Sequence, residues 1–214
     1  MVILKTGFGF LGALLLVKKF PLRNIMRTIF VLPSVLSMVI IGILFISIFR
    51  MDGMINHMLR FIGLESLTID WLGNRKTALY IAILADVWRW SGFCMAVFVA
   101  GMQGISQDYY EAARIDGANW FQVLKKVTIP LLVPAFSVNI TFNLIGGLKV
   151  FEQVFVVTKG GPGYASQVLG TYLFTMFSRG LLGRSTAMGL VLFVLVLAVS
   201  QTVQYFINKA EVDY

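Results

Sequence analysis

The chain has 214 residues, 58% hydrophobic and only 13% charged, with a mean hydropathy of +0.83; soluble domains run at about 45–50% apolar and about 25% charged, so a water-soluble globular fold is excluded. The net charge of +8 comes from 18 basic and 10 acidic residues, but the basic side chains stand at the ends of apolar runs, as at a membrane surface, without the continuous basic face that nucleic-acid binding needs. One cysteine, Cys94, excludes an internal disulfide and a cysteine metal cluster, and His57 is the only histidine.

Five apolar stretches follow in chain order. Each is too long for a barrel strand and none alternates with a period of two, so the expected fold is an all-α, polytopic transmembrane helical bundle of about five spans. The first stretch covers 2–19. It is short for a span, has Lys5 near its start and lacks the small-residue cleavage site of a signal peptide. Gly7, Gly9 and Gly12 match GxGxxG, but inside an apolar run with no preceding strand the spacing reads as close packing between membrane helices. Residues 18–27 hold Lys18, Lys19, Arg23 and Arg27 and no acid, the densest positive segment of the chain. The second span is 28–49, with Pro33 one turn in, where neighbouring groups are expected to satisfy the freed carbonyl. In 50–77, Ile55, Met58, Leu59 and Ile62 recur at helical spacing and predict a short amphipathic surface helix.

The third span, 78–101, carries Asp86 and Arg89 three residues apart and therefore on one face. A charge at the bilayer centre costs about 2.5–3.5 kcal/mol on insertion scales, so both are expected to face the bundle interior. Two readings fit: a lining of a translocation path, or a structural ion pair near the outer helix end, beside Trp88 and Trp90 as interfacial anchors. Gly92, Ala96 and Ala100, four apart, read as close-packing positions. Residues 102–128 form a polar loop of a particular kind. Asp108 is expected to cap a short helix, Gly117 to end it in the left-handed region, and Asn119 to cap a second short helix running to Pro130. The product is a helix–turn–helix at the membrane surface, whose exposed Glu111 and small Ala112 and Ala113 suit a groove on a partner; the alternative is an amphipathic loop lying in the headgroups.

The fourth span, 129–148, presents Phe136, Asn139, Asn143 and Gly147 at helical spacing. Amides and an aromatic face suit a sugar, while helix–helix hydrogen bonding, worth roughly 0.6–2 kcal/mol, is the other reading. Residues 149–184 contain a glycine-rich turn at 160–163 and a hydrophobic piece, 168–177, too short to span. The fifth span is 185–207. If 18–27 is cytoplasmic, so are 102–128 and the tail from Asn208. Lys and Arg divide evenly, eight to each side, so the short loop 18–27 favours that orientation without fixing it.

The order Glu111-Ala112-Ala113, Gly117, Val127, Ile129 and Pro130 resembles the cytoplasmic loop of binding-protein-dependent ABC importer permeases. Arg27-Thr28, Leu32-Pro33, Trp71-Leu72, Ala78 and Trp88 extend the resemblance. Phe151-Glu152, Thr158, the turn 160–163, Tyr172 and Phe177 resemble the sugar-permease branch that includes the maltose and glycerol-phosphate systems. The likeness runs over nearly all of 7–207. It implies a single permease domain over 1–214 in the cytoplasmic membrane, moving a sugar or related carbohydrate. Glu111, Ala112, Ala113, Asp116, Gly117 and Pro130 would form the loop coupled to an ATPase, and Phe136, Asn139, Asn143, Gly147, Asp86 and Arg89 would be the candidate substrate path. The implied partners are a second permease subunit (a heterodimer), two cytoplasmic ATP-binding subunits, an extracytoplasmic solute-binding protein and the bilayer, with no nucleic acid. No enzyme activity, cofactor or metal is expected in the chain itself, because ATP and magnesium would sit in the partner ATPase and no Gly-x4-Gly-Lys-Ser/Thr loop occurs. Ser106 and Glu152 depart from the family's usual proline and aspartate. Six-span relatives also have a further N-terminal helix, so the sequence reads as starting partway through the first core helix. The alternatives are a permease for a polyamine, phosphate or peptide, and a truncated fragment without transport activity.

Overall fold

A computed structural model describes residues 1–17 and 20–208. The end of the expected first span and the basic Lys18, Lys19 and Lys209 lie outside the described residues. Those described are helical, with no strand. In order they form α1 (Val2–Leu16), α2 (Arg23–Val35), α3 (Met38–Phe49), α4 (Met54–Phe61), α5 (Ala78–Gly104), α6 (Gln107–Ile115), α7 (Trp120–Val123), α8 (Ile129–Leu131), α9 (Val133–Leu148), α10 (Glu152–Val157), α11 (Leu169–Ser178) and α12 (Leu182–Asn208). Three stretches are long and apolar enough to cross a bilayer, Met38–Phe61, Ala78–Gly104 and Leu182–Ile207; a fourth is added if the bent pair of Trp120–Leu131 and Val133–Leu148 acts as one. At 15 residues, α1 is shorter than the roughly 20 that a span needs. Five expected spans therefore have three or four counterparts of sufficient length.

Two expected helices differ in their ends, for identifiable reasons. The stretch 28–49 is two helices. Pro33 lies inside α2, and the chain leaves the helical region at Ser37 (φ −60°, ψ 140°), whose Oγ accepts the Val39 N–H at 3.3 Å and starts α3 anew. The fourth long element opens at Val133 and not at Ile129. Helix continues through Pro130 because Leu124–Thr128 widens to a π turn, in which the Ile129 N–H bonds the Leu124 carbonyl. That widening makes room for a proline ring that would otherwise press on the carbonyl four residues back. The 65° bend then falls at Leu132.

The described residues group into two units, each with its own core. In the first (35–89 and 146–196), Met38, Ile41 and Phe45 of α3 pack on Ile81, Ala82 and Ala85 of α5 and on Val154 and Val157 of α10. Gly42 admits Val156 of α10 so closely that any Cβ would overlap it. The fully buried Asn56 of α4 ties the connecting loop: its Nδ2 donates to Met51 O (3.0 Å) and Ile69 O (2.8 Å), and its Oδ1 accepts Trp71 Nε1–H at 3.0 Å. In the second unit (2–17, 20–34, 90–145 and 197–208), Ala13 and Leu16 of α1 meet Met95, Phe98, Val99 and Met102 of α5, with Leu132 and Ala135. Phe10, Phe98 and Phe136 form a ring cluster with centroids 4.6–5.4 Å apart.

Lipid tails are as apolar as leucine, so apolar burial alone does not drive helices together inside a bilayer; close backbone approach and polar contacts must. The glycines show this. Gly9 lies on the Met95 amide and Cys94, and Gly12 on the Met95 side chain, so two of the three GxGxxG glycines do pack between helices, whereas Gly7 faces open space. The most apolar 18-residue window of α12 has none of its residues buried. A helix apolar all round and uncovered by its own chain belongs against lipid or another subunit.

Candidate functional site

The polar loop 105–128 is a helical hairpin held by three local devices. Ser106, not Asp108, caps α6: its Oγ accepts the Asp108 N–H at 3.3 Å and donates to the Asp108 carboxylate at 3.0 Å. Asp108 then sits in the first turn, where its charge suits the helix dipole, as Arg114 does in the last. Gly117 ends the helix at φ +71°, and the Ala118 N–H reaches back to Ala113 O at 2.9 Å. Nothing lies within 4 Å of where a Gly117 Cβ would stand, so the glycine serves the backbone angle and not the packing. Asn119 and Gln122 cap α7 reciprocally: Asn119 Oδ1 accepts the Gln122 N–H (2.9 Å), and Gln122 Oε1 accepts the Asn119 N–H (2.8 Å).

This hairpin exposes Glu111, Ala112, Asp116 and Gly117; Ala113 and Pro130 are half-buried. It also exposes three large apolar side chains that the sequence reading passed over: Ile115 (86%), Trp120 (61%) and Phe121 (65%). Large exposed apolar side chains beside Glu111, Arg114 and Asp116 fit both readings of this loop, docking on a partner and lying in the headgroups. The available signal was Ile115 standing between Arg114 and Asp116 just before the turn, where a solvated hairpin has no use for it. Behind the hairpin, a cleft of about 460 Å³ is lined by Leu14, Met102, Tyr110, Arg114, Trp120 and Leu124, among others.

The other candidate residues fall in separate places. In the second unit, Asn139 and Asn143 of α9 are fully buried against α5. Asn139 Nδ2 donates to Cys94 O (3.3 Å), and Asn143 Nδ2 to Cys94 Sγ (3.1 Å) and Asn139 O (2.8 Å). Both Oδ1 atoms lack a partner among the described residues. Their amide groups therefore perform the helix–helix bonding foreseen as the second reading, and Phe136 joins the ring cluster. In the first unit, Asp86 is buried and its Oδ1 accepts Gln153 Nε2–H at 2.6 Å; Arg89 lies 3.8 Å from the Glu152 carboxylate. Both thus have partners on α10, a short helix whose role the sequence did not foresee. Gly147, in the same unit, lines a cleft of about 560 Å³.

The family model of the binding-protein-dependent transport system inner membrane component matches residues 5–211. The chain belongs to this family. Among its relatives, a probable ABC transporter permease protein, PH1038, of Pyrococcus horikoshii is 41% identical, over 82% of this chain and 62% of that protein. The trehalose/maltose transport system permease protein MalF of Thermococcus litoralis is 34% identical, over 92% of this chain and 66% of that one. The chain thus spans somewhat less than two thirds of the length of these relatives. A chain in the crystal structure of a bacterial ABC transporter involved in the import of the acidic polysaccharide alginate superposes with a TM-score of 0.85 at 25% identity, covering 97% of this chain and 77% of that one. The fold is that of an ABC importer permease.

Proposed function

We propose that this chain is the membrane-spanning permease subunit of an ATP-binding-cassette importer that carries a sugar or related carbohydrate, driven through the hairpin by a separate ATPase. One observation carries the reading. A capped hairpin presents Glu111, Ala112, Asp116 and Gly117, with Ile115 and Phe121, exposed among the described residues, and Ala113 half-buried behind them. Pro130 stands at the far end, between the π turn and the bend at Leu132. Two ATP-binding subunits, a second permease subunit and an extracytoplasmic solute-binding protein complete the assembly. Closure of the ATPase pair on ATP draws the coupling hairpins together and shifts the permease between inward- and outward-facing states, the differential nucleotide affinity providing the drive.

Similarity to a trehalose/maltose permease and to an alginate importer supports carbohydrate as the cargo. In this reading the Oδ1 atoms of Asn139 and Asn143, unpartnered among the described residues, become sugar acceptors when α5 and α9 part. Gly147, Asp86 and Arg89 are the first unit's own candidates for cargo contact, the last two also fastening α10 to α5.

The test is uptake by the purified complex, copurified with its own ATPase and binding protein and reconstituted in vesicles. Labelled oligosaccharide is expected to accumulate only with ATP. Accumulation of spermidine, phosphate or a peptide in place of any sugar would replace the carbohydrate reading, and a complex that accumulates nothing would end the importer reading.

A further inference from the structure

Within the first unit, the turn after α10, helix α11 and the start of α12 enclose a cleft of about 380 Å³ whose polar lining is Tyr164, Gln167, Tyr172, Thr175, Arg179 and Arg184. A second cleft, of about 560 Å³ and reaching Gly147, also has Tyr164, Gln167 and Tyr172 in its lining. The wall of the first is pinned before any ligand arrives. Gly160 (φ +84°) and Gly163 (φ +62°) fold the turn back, the fully buried Ser166 donates to Gly161 O at 2.6 Å, and Thr158 and Ser166 share a hydroxyl bond of 2.7 Å. The Arg75 guanidinium stands beside Gly163 of this turn.

The charge of this groove is one-sided. No Asp or Glu occurs from 153 to 210, while Lys159, Arg179 and Arg184 all do. Among the described residues neither Arg179 nor Arg184 has an ion-pair partner. Arg179 and Arg184 are both exposed and both line this cleft, so an anion entering it would meet two cations and no carboxylate of the lining.

We propose that this groove is an acceptor subsite for an acidic oligosaccharide, a chain of uronate residues, on its way to the path; the inference rests on the carbohydrate-importer reading. Arg179 and Arg184 would take a sugar carboxylate through their planar forks. Tyr164 and Tyr172 offer ring faces to the apolar side of the pyranose, and Gln167 and Thr175 offer donors and acceptors to its hydroxyls. A lone phosphate or small carboxylate would leave most of a cleft of about 380 Å³ empty, since pockets of this size suit ligands of drug-like dimensions.

Saturation-transfer NMR on the whole transporter in nanodiscs, without its binding protein, tests this with trigalacturonate and with neutral maltotriose. Trigalacturonate should show transfer that weakens with added sodium chloride and falls about tenfold in apparent affinity in Arg179→Gln or Arg184→Gln. Maltotriose should bind more weakly and be indifferent to salt. Equal binding of maltotriose, salt-independent transfer, trigalacturonate binding that survives the double substitution, or no transfer at all would each overturn the proposal. The salt arm needs no variant, so a poorly folding substitution does not decide the outcome. A complex that imports a neutral sugar with ATP yet gives any of these results loses only the acidic subsite. One that binds trigalacturonate but drives no uptake loses only the importer reading.

Discussion

Gly117→Val is expected to reduce ATP-driven uptake about tenfold or more while Gly117→Asn retains most of it, a contrast that follows from backbone angle alone. Gly117 sits at φ +71°, and no atom lies within 4 Å of its missing Cβ. A β-branched residue there costs roughly 1–3 kcal/mol of strain, and asparagine, which enters the left-handed region readily, costs much less. The hairpin has few contacts with which to absorb that cost: its ends depend on Ser106, on the Ala118-to-Ala113 bond and on the Asn119–Gln122 box. Valine would therefore displace α7 relative to α6 and splay the surface that carries Glu111 and Ile115. Uptake and ATPase copurification, measured together, read the result. Equal activity of the valine and asparagine variants would show that the turn geometry is irrelevant to transport.

Gly92→Ala is expected to destabilise the folded chain by about 2–4 kcal/mol, a large effect for a single methyl group. A Cβ at this position would overlap the Phe30 carbonyl oxygen and stand 2.5 Å from its carbon and 2.9 Å from Val31 Cα. These are backbone atoms of α2, so no rotamer change makes room. Gly7→Ala is the matched control: it is also a helix interior, with nothing within 4 Å, and alanine there should be neutral or stabilising by about 0.5–1 kcal/mol. Thermal unfolding in detergent compares the two. Similar losses in both would mean that helix propensity, and not the α2–α5 approach, governs the position.

Much of this molecule was legible in the sequence because membrane helices announce themselves by length and apolarity, and turns by glycine and asparagine. Gly117 and Asn119 do in the structure what their residue types allow, and the short amphipathic helix expected around Met58 is present as α4. Helix ends were less legible where two candidates compete. Asp108 and Ser106 are both good caps, and the choice fell to Ser106 because its hydroxyl also holds Asp108 in the first turn. The break at Ser37 was hidden by an unbroken apolar run, since hydropathy does not register a cap. Pro130 signalled a helix start, yet a π turn carried the helix past it and moved the bend to Leu132. The α10 groups that meet Asp86 and Arg89 lie more than sixty residues away, a separation no local pattern encodes. Pairing of Asn139 and Asn143 with Cys94 was similarly out of reach, although their common face was not.

The most direct measurement uses Cys94, the only cysteine in the sequence and a buried one. In a Cys94→Ser background, which keeps an acceptor for Asn143, Ala112→Cys places a thiol on the exposed face of α6. A maleimide carrying a benzophenone photo-cross-linker, attached to this thiol and irradiated, should insert into a C–H bond of the ATP-binding subunit in the native complex, and an impermeant maleimide added to intact cells should leave the thiol unlabelled. Labelling from outside, or a complex in which this thiol meets no nucleotide-hydrolysing subunit, would contradict the account.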